Sequence, residues 1–277
     1  MPRARASGPV LKWAGGKTQL LEDILSRLPR RMKTYFEPFV GGGAVFFALA
    51  EQCRFERAVL ADRNQDLVDV YQALKEDVEG VIAVLQRYRY DEATYYEVRS
   101  QRPRKLVRRA ARLIYLNRTG YNGLYRVNRT GQFNVPFGRY KNPTICHEPT
   151  LRAAARALQR ATIQADDFEP ICRRARPGDA VYLDPPYLPL SKTSSFTAYD
   201  RHPFGVPEHE RLARVFGDLA GRGVNAVLSN SLTPMTSELY RQWKTDRVRV
   251  TRPINCRPES RGPVDEILVV TRPALPG

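Results

Sequence analysis

The chain is poor in the residues that carry metal and disulfide chemistry. Its four cysteines, Cys53, Cys146, Cys172 and Cys256, stand alone in 277 residues, with no C-x-x-C pair and no histidine cluster beside them. That spacing excludes a zinc ribbon or a disulfide scaffold and points to reduced, structural thiols and no metal. Long apolar runs are missing too. No stretch reaches 18 uninterrupted apolar residues and Met1 to Gly8 holds no apolar signal core, so a soluble, cytoplasmic chain with no membrane partner is expected. Acid is in short supply: 29 Asp and Glu face 45 Lys and Arg, a net charge of +16. A surplus of this size favours a polyanionic partner, because each neutralised phosphate releases condensed counterions; a basic surface with no dedicated ligand is the alternative. With 42% hydrophobic residues the chain folds, as one elaborated domain or as a domain plus a smaller one.

Two common nucleotide fingerprints are also absent. Leu11-Lys12-Trp13-Ala14-Gly15-Gly16-Lys17-Thr18 ends like a phosphate-binding loop, but that motif requires glycine where Leu11 stands and a strand in front. Trp13 and Lys17 therefore serve another purpose, or are a packed ring and a solvated cation. Gly41-Gly42-Gly43 follows the strand-like Thr34 to Val40 and opens the helix-like Ala44 to Ala50. A full G-x-G-x-x-G would place glycine at Phe46, so a dinucleotide is not indicated. A strand over Arg57 to Ala61 ends in Asp62, about 20 residues on, where an acid commonly holds ribose hydroxyls. Together they indicate a nucleoside-bearing cofactor without a pyrophosphate, the alternative being a glycine turn plus a capping Asp before a helix over Asn64 to Leu74.

The β-α rhythm then stops. Val78 to Leu116 reads as mainly helical, with Arg102, Arg104, Lys105, Arg108, Arg109 and Arg112 along an apolar stripe, a solvated or a phosphate-tracking face. Tyr115 to Lys141 is thick in Asn, Arg, Tyr and Gly, and Asn128-Arg129-Thr130-Gly131 predicts a hairpin turn. Arg reads guanine, Asn reads adenine or phosphate, and Tyr stacks where a base has left, so this segment is a candidate DNA reader. Strands resume over Ala161 to Ala165, Asp179 to Leu183, Asn225 to Ser229, Arg247 to Val250 and Ile267 to Val270. The pattern predicts an α/β sheet of about seven strands, interrupted after the second by a basic insert packed against it.

At the end of the apolar run Ala180 to Leu183 stands Asp184-Pro185-Pro186-Tyr187. The plain reading is a strand running into a proline turn. The chemical reading is that the Asp184 carboxylate and Pro185 carbonyl accept both N–H groups of an exocyclic amine, with Tyr187 stacked on the base. That would localise the amine lone pair for attack on an electrophilic carbon.

These residues resemble a known family. Lys12 to Lys17, Phe36-Glu37-Pro38-Phe39-Val40-Gly41-Gly42-Gly43, Leu60-Ala61-Asp62, Leu116 to Lys141 and Asp184 to Tyr187 are similar, in order and text, to Dam-type, D12 class DNA adenine-N6 methyltransferases. The likeness extends to Pro189-Leu190-Ser191 and Phe196-Thr197-Ala198-Tyr199. It implies a Rossmann-like methyltransferase sheet at residues 1–74 and 145–277, and a mainly helical target-recognition insert with a β-hairpin at 75–144. It also implies S-adenosyl-L-methionine as cofactor, held by Trp13, Lys17, Phe39, Gly41, Gly43, Asp62, Asp167, Phe168 and Asp184, with Asp62 on the ribose. Asp184, Pro185, Pro186 and Tyr187 would be catalytic. Lys12, Leu124, Arg126 and Pro136 would contact bases, and Tyr121 and Asn122 the gap left by a flipped adenine. Arg118, Asn128, Asn134, Arg139 and Lys141 would hold phosphates of double-stranded DNA. The implied site is GATC, and the implied state a nucleoid-associated monomer. Other readings are an amino-methyltransferase on cytosine N4 or RNA, and a DNA-binding relative without turnover. Similar members carry Ser-Asn-His-Asp where this chain has Ser229-Asn230-Ser231-Leu232, and the loop Asn255 to Pro263 also departs.

Overall fold

A computed structural model describes residues 8–13, 15, 17, 19–187, 204–251 and 263–271. The resembling stretches at 189–191 and 196–199, Cys256 and most of the altered loop at 255–263 lie outside these residues. Seven strands form one sheet in the order β3-β2-β1-β4-β5-β7-β6. They are β1 (Met32–Glu37), β2 (Phe55–Asp62), β3 (Ala161–Ala165), β4 (Ala180–Leu183), β5 (Asn225–Ser231), β6 (Lys244–Thr251) and β7 (Pro263–Val270). Strands β1 to β5 run parallel, while β7 is antiparallel to both β5 and β6. The central strand β4 is apolar and buried at all four positions, as a strand covered on both faces must be.

The chain order reverses at β1, whose neighbours are β2 and β4, and this switch point at the carboxyl ends of parallel strands is where ligands bind in such sheets. Helix α1 (Leu21–Arg27) leads into β1, and its last carbonyls are collected by the Arg54 guanidinium, which bonds Leu25, Leu28 and Pro29 oxygens. Helix α2 (Ala44–Glu51) follows the glycine turn.

Between β2 and β3 lie α3 (Gln65–Leu85), α4 (Glu92–Ser100), α5 (Leu106–Thr119), a 3-10 turn at Tyr121–Gly123 and α6 (Glu148–Leu158). Three expectations change here. The helix expected to end at Leu74 continues to Leu85 through a kink at Asp77, because Val81, Ile82 and Leu85 carry the apolar stripe onward into the core. It therefore crosses the boundary drawn at 74/75. The basic run is not one helix: Pro103 keeps residues 101–105 extended, and α5 starts at Leu106. Residues of α3, α5 and β1 share one hydrophobic cluster, so the insert is packed on the sheet as expected. The hairpin is smaller than expected, two isolated bridges, Gly120 with Phe137 and Val127 with Phe133. Helices α7 (Phe168–Arg173) and α9 (Pro234–Leu239), too short to show a period, went unread in the sequence; α8 (Val206–Gly221) lies between them. Among the described residues no helix is long and apolar enough to cross a membrane.

Candidate active site

The glycine turn and Asp62 meet at the switch point. Gly41 and Gly43 have φ of +46° and +69°, conformations that resist a side chain, and a Cβ on Gly41 would stand 3.0 Å from the Trp13 ring. Asp62 divides its carboxylate between two backbone amides, accepting from Gly41 at 3.1 Å and Asn64 at 3.0 Å. The helix cap is Asn64, whose side chain accepts from Asp66 N–H, so Asp62 is not spent on capping α3. Tyr71 donates to the Gly41 carbonyl at 2.6 Å and fixes the turn from below.

Beside the turn, Phe39 stacks on Phe168 with centroids 5.4 Å apart, and Phe204 meets Phe39 edge-on. Phe168 itself is 1% exposed. Asp167 caps α7 and takes a fork of bonds from Arg211 at 2.8 and 2.9 Å, plus Arg63. Burial pushes this carboxyl up, but the hydrogen bonds from Arg211, the Glu169 amide and Arg63 hold it at about 2.

Asp184 leaves the end of β4 into the same space. Its Oδ1 accepts from Lys17 Nζ at 2.8 Å and from Ser229 Oγ at 2.9 Å. The Ser229 proton being spent there, Tyr182 donates to Ser229 at 2.9 Å, a relay from Tyr182 through Ser229 to Asp184. Among the described residues Oδ2 takes no hydrogen bond. Burial raises the Asp184 carboxyl above its ordinary range, and Lys17 and Ser229 act against that rise. Lys17, 7% exposed, spends its remaining capacity on the Gly15 carbonyl at 2.9 Å and the face of Tyr187 at 4.6 Å. The Tyr187 hydroxyl donates to Glu266 Oε2 at 2.7 Å. Glu266 lies on β7 opposite Ser231 of β5, so the departure at Ser231-Leu232 stands beside a polar group that β7 supplies. An acceptor oxygen and a ring fixed by its hydroxyl can grip a planar base through an amino group.

The basic segment is joined to this pocket through Lys12. Asn117 accepts from the Lys12 amide at 2.7 Å and donates to the Lys12 and Gly123 carbonyls, both at 2.8 Å. Lys12 Nζ sits 4.8 Å over the Tyr140 ring, and its pKa is lowered by partial burial and by Arg118. Arg118 bonds the Val10 carbonyl. A chain of rings, Trp13, Tyr125 and Phe133, runs from the glycine turn into the insert. Tyr121 is 53% exposed, and Asn122 beside it has φ of +54°. Arg126 donates to the Asn134 side chain at 2.7 Å, which joins two residues expected in different roles. The Asn128 side-chain oxygen is used inside the turn, by Thr130 and Gln132. Arg139, Lys141 and Pro136 are exposed and Leu124 half-buried.

Sequence reasoning missed Asn117, Tyr125, Ser229 and Glu266 as site residues. Asn117 and Tyr125 lay in the basic segment, where an Asn next to Arg was the signal. Ser229 stood in the stretch compared with the Ser-Asn-His-Asp of similar members, where the mismatch at Ser231-Leu232 drew the attention; Glu266 offered no signal, since only strand pairing brings it to the site.

The match to known proteins spans nearly the whole chain. A model of the D12 class N6 adenine-specific DNA methyltransferase family fits residues 13–254. A type II methyltransferase, M1.LlaDCHI, of Lactococcus lactis subsp. cremoris is 41% identical over 94% of both chains. M.MjaIII of Methanocaldococcus jannaschii is also 41% identical, over 91% of this chain and 94% of its own. The DNA adenine methylase of Escherichia coli K12 is 38% identical over 96% and 95%. With its sheet order and its Asp184 pocket, the chain belongs to the D12 class of N6 adenine-specific DNA methyltransferases, enzymes that methylate adenine in DNA.

Proposed function

We propose that the enzyme transfers the methyl group of S-adenosylmethionine to N6 of an adenine flipped out of duplex DNA, within GATC. The observation that carries this reading is the divided use of Asp184: one oxygen is held by Lys17 and Ser229 while the other is left for a substrate amine. The reading of the cofactor rests on fit. A close backbone turn at Gly41 to Gly43, a carboxylate at Asp62 and the rings of Trp13 and Phe39 suit a nucleoside. The bound cofactor supplies an electrophilic methyl group. Gly41 and Gly43 give it backbone room, Asp62 takes the ribose, and Lys17, Asp167 and Phe168 border its site.

Everything else is asked of the chain's own residues. Asp184 Oδ2 and the Pro185 carbonyl accept hydrogen bonds from the two N6–H groups, which draws the nitrogen lone pair out of conjugation with the ring. Pro186 stiffens the turn, and Tyr187 stacks on the adenine. As the carbon–nitrogen bond forms and the donor's sulfur–methyl bond breaks, Asp184 stabilises the positive charge that develops on the amine, which then loses one N6 proton to solvent. A base inside a duplex cannot reach this pocket, so flipping is required, at a few kcal/mol.

Residues 75–144 act as the recognition unit. Lys12, Leu124, Arg126 and Pro136 read bases, Tyr121 and Asn122 fill the gap, and Arg118, Asn128, Asn134, Arg139 and Lys141 hold phosphates. For plasmid DNA incubated with enzyme and cofactor, cleavage by a nuclease blocked by GATC methylation should fall, and cleavage by one that requires it should appear. Unchanged cutting by both refutes the GATC assignment.

A further inference from the structure

A second group of cations lies at the amino ends of the parallel strands, opposite the Asp184 end of the sheet. Between β3 and β4 the chain supplies only the six-residue α7, leaving a cavity of about 570 Å³ at the amino ends of β1 and β2. Lys33, Arg57, Arg160, Arg174 and Arg176 line it, from β1, β2, the turn before β3 and the loop after α7. The acid among its lining residues, Asp179, gives its oxygens to the backbone amides of Thr34 and Arg176 at 3.0 and 2.8 Å. Arg174 bonds the Gln164 side chain. Among the described residues Lys33, Arg57, Arg160 and Arg176 make no ion pair.

Several cations elsewhere in the fold are neutralised by acids. Arg63 and Arg211 share Asp167, Arg152 bridges Glu79 and Glu148, and Arg222 pairs with Asp218. Four unpaired cations around one concavity repel one another, and a polyanion relieves that repulsion while its counterions are released. The cavity also stands apart from the proposed reading surface. Arg176 precedes β4 and Asp184 follows it, and a four-residue strand separates its ends by about 10 Å. A duplex laid along the Asp184 end does not cover the opposite end.

We propose that this cleft binds the phosphate backbone of a second duplex, so that one molecule holds two DNA segments and passes between them without full release. The proposal rests on the reading that the 115–141 segment takes the first duplex. Its occupant is DNA because the charge is complementary and DNA is the polyanion on which the enzyme acts.

The test is a bridging assay with the full chain. A biotinylated GATC duplex is immobilised, enzyme is bound at low salt, and retention of a fluorescent duplex lacking GATC is measured. Wild-type enzyme should retain the second duplex. Arg57→Gln/Arg160→Gln, both exposed positions, should retain at least about fivefold less, with the salt slope of bridging reduced by about 2. Its thermal midpoint and its single-turnover methylation of a short GATC duplex should stay at wild-type values. Should that variant unfold, Lys33→Gln/Arg176→Gln serves in its place. Equal retention by a folded variant overturns the proposal. So does retention that rises with the square of enzyme concentration, which signals two copies, or loss of retention to micromolar tripolyphosphate, which signals a small-anion site. A failure of the GATC reading is seen separately, as no methylation of the short duplex by wild-type enzyme.

Discussion

Around Asp184 the polar side chains are buried and already paired with one another, whereas along Tyr121 to Lys141 they stand mostly in solvent, held through their backbones. Lys17, Ser229, Tyr182 and Glu266 are each at or below 7% exposure, while Tyr121, Arg126, Arg129, Arg139 and Lys141 are exposed. The difference follows from the task. A pocket that acts on one amine gains by fixing its dipoles beforehand, in a low dielectric. A surface that reads a duplex must form its bonds anew with each site, so its side chains are kept available. The first region should therefore fail in kcat and the second in discrimination.

The largest effect is expected at Asp184. Asp184→Ala removes the free acceptor and should lower kcat by about 10²–10³, with DNA affinity within about twofold of wild type by fluorescence anisotropy. Near wild-type turnover would take Asp184 out of the mechanism and dissolve the contrast. Arg126→Ala should do the reverse, costing about 1–3 kcal/mol of discrimination at one base pair with kcat on the cognate site little changed. Competition among singly substituted sites measures it, and an unchanged ranking removes Arg126 from base reading. Since Arg126 also orders Asn134, a uniform loss across all sites would instead mark the pair as a phosphate clamp.

The two regions also differ in how much of them the sequence exposes. The seven strands were legible because each holds a short apolar run or an apolar–polar alternation, and β3 was read to the residue. Asp184 to Tyr187, Gly41 to Gly43 and Asp62 were legible because strand ends and glycine turns are local features. What was hidden is tertiary. The Lys17 ion pair, the Ser229 relay and the Glu266 clamp join residues 45 or more apart along the chain. The extension of α3 past Leu74 was hidden because a kink at Asp77 breaks the helical period. The hairpin was overread, because its turn residues are typical while its flanking pairs amount to two bridges.

The buried pairing of Lys17 predicts a pH effect of moderate size. Burial raises the Asp184 carboxyl and Lys17 opposes it, so removing the ammonium raises the pKa further. Asp184 accepts hydrogen bonds as a carboxylate, and activity is lost as pH falls through its pKa. Lys17→Met, assayed at saturating cofactor, should therefore move the acid limb of the kcat profile to higher pH and lower kcat about tenfold at neutral pH. An acid limb that stays in place would mean that Lys17 serves cofactor binding alone.

The smallest effect tests whether the pocket acts as one unit. Tyr187 can stack on a base only while its ring plane is fixed, and the 2.7 Å bond to Glu266 is what ties its hydroxyl to β7. An intramolecular hydrogen bond contributes on the order of 1 kcal/mol net, so Tyr187→Phe and Glu266→Ala should each lower kcat about fivefold at unchanged KM for DNA. If Glu266 works through the Tyr187 hydroxyl, the double variant should be no slower than either single one, and Glu266→Gln, which keeps an acceptor, should recover most of the loss. Additive effects would show that the two residues act independently, and would limit the prearranged pocket to Lys17, Asp184 and Ser229.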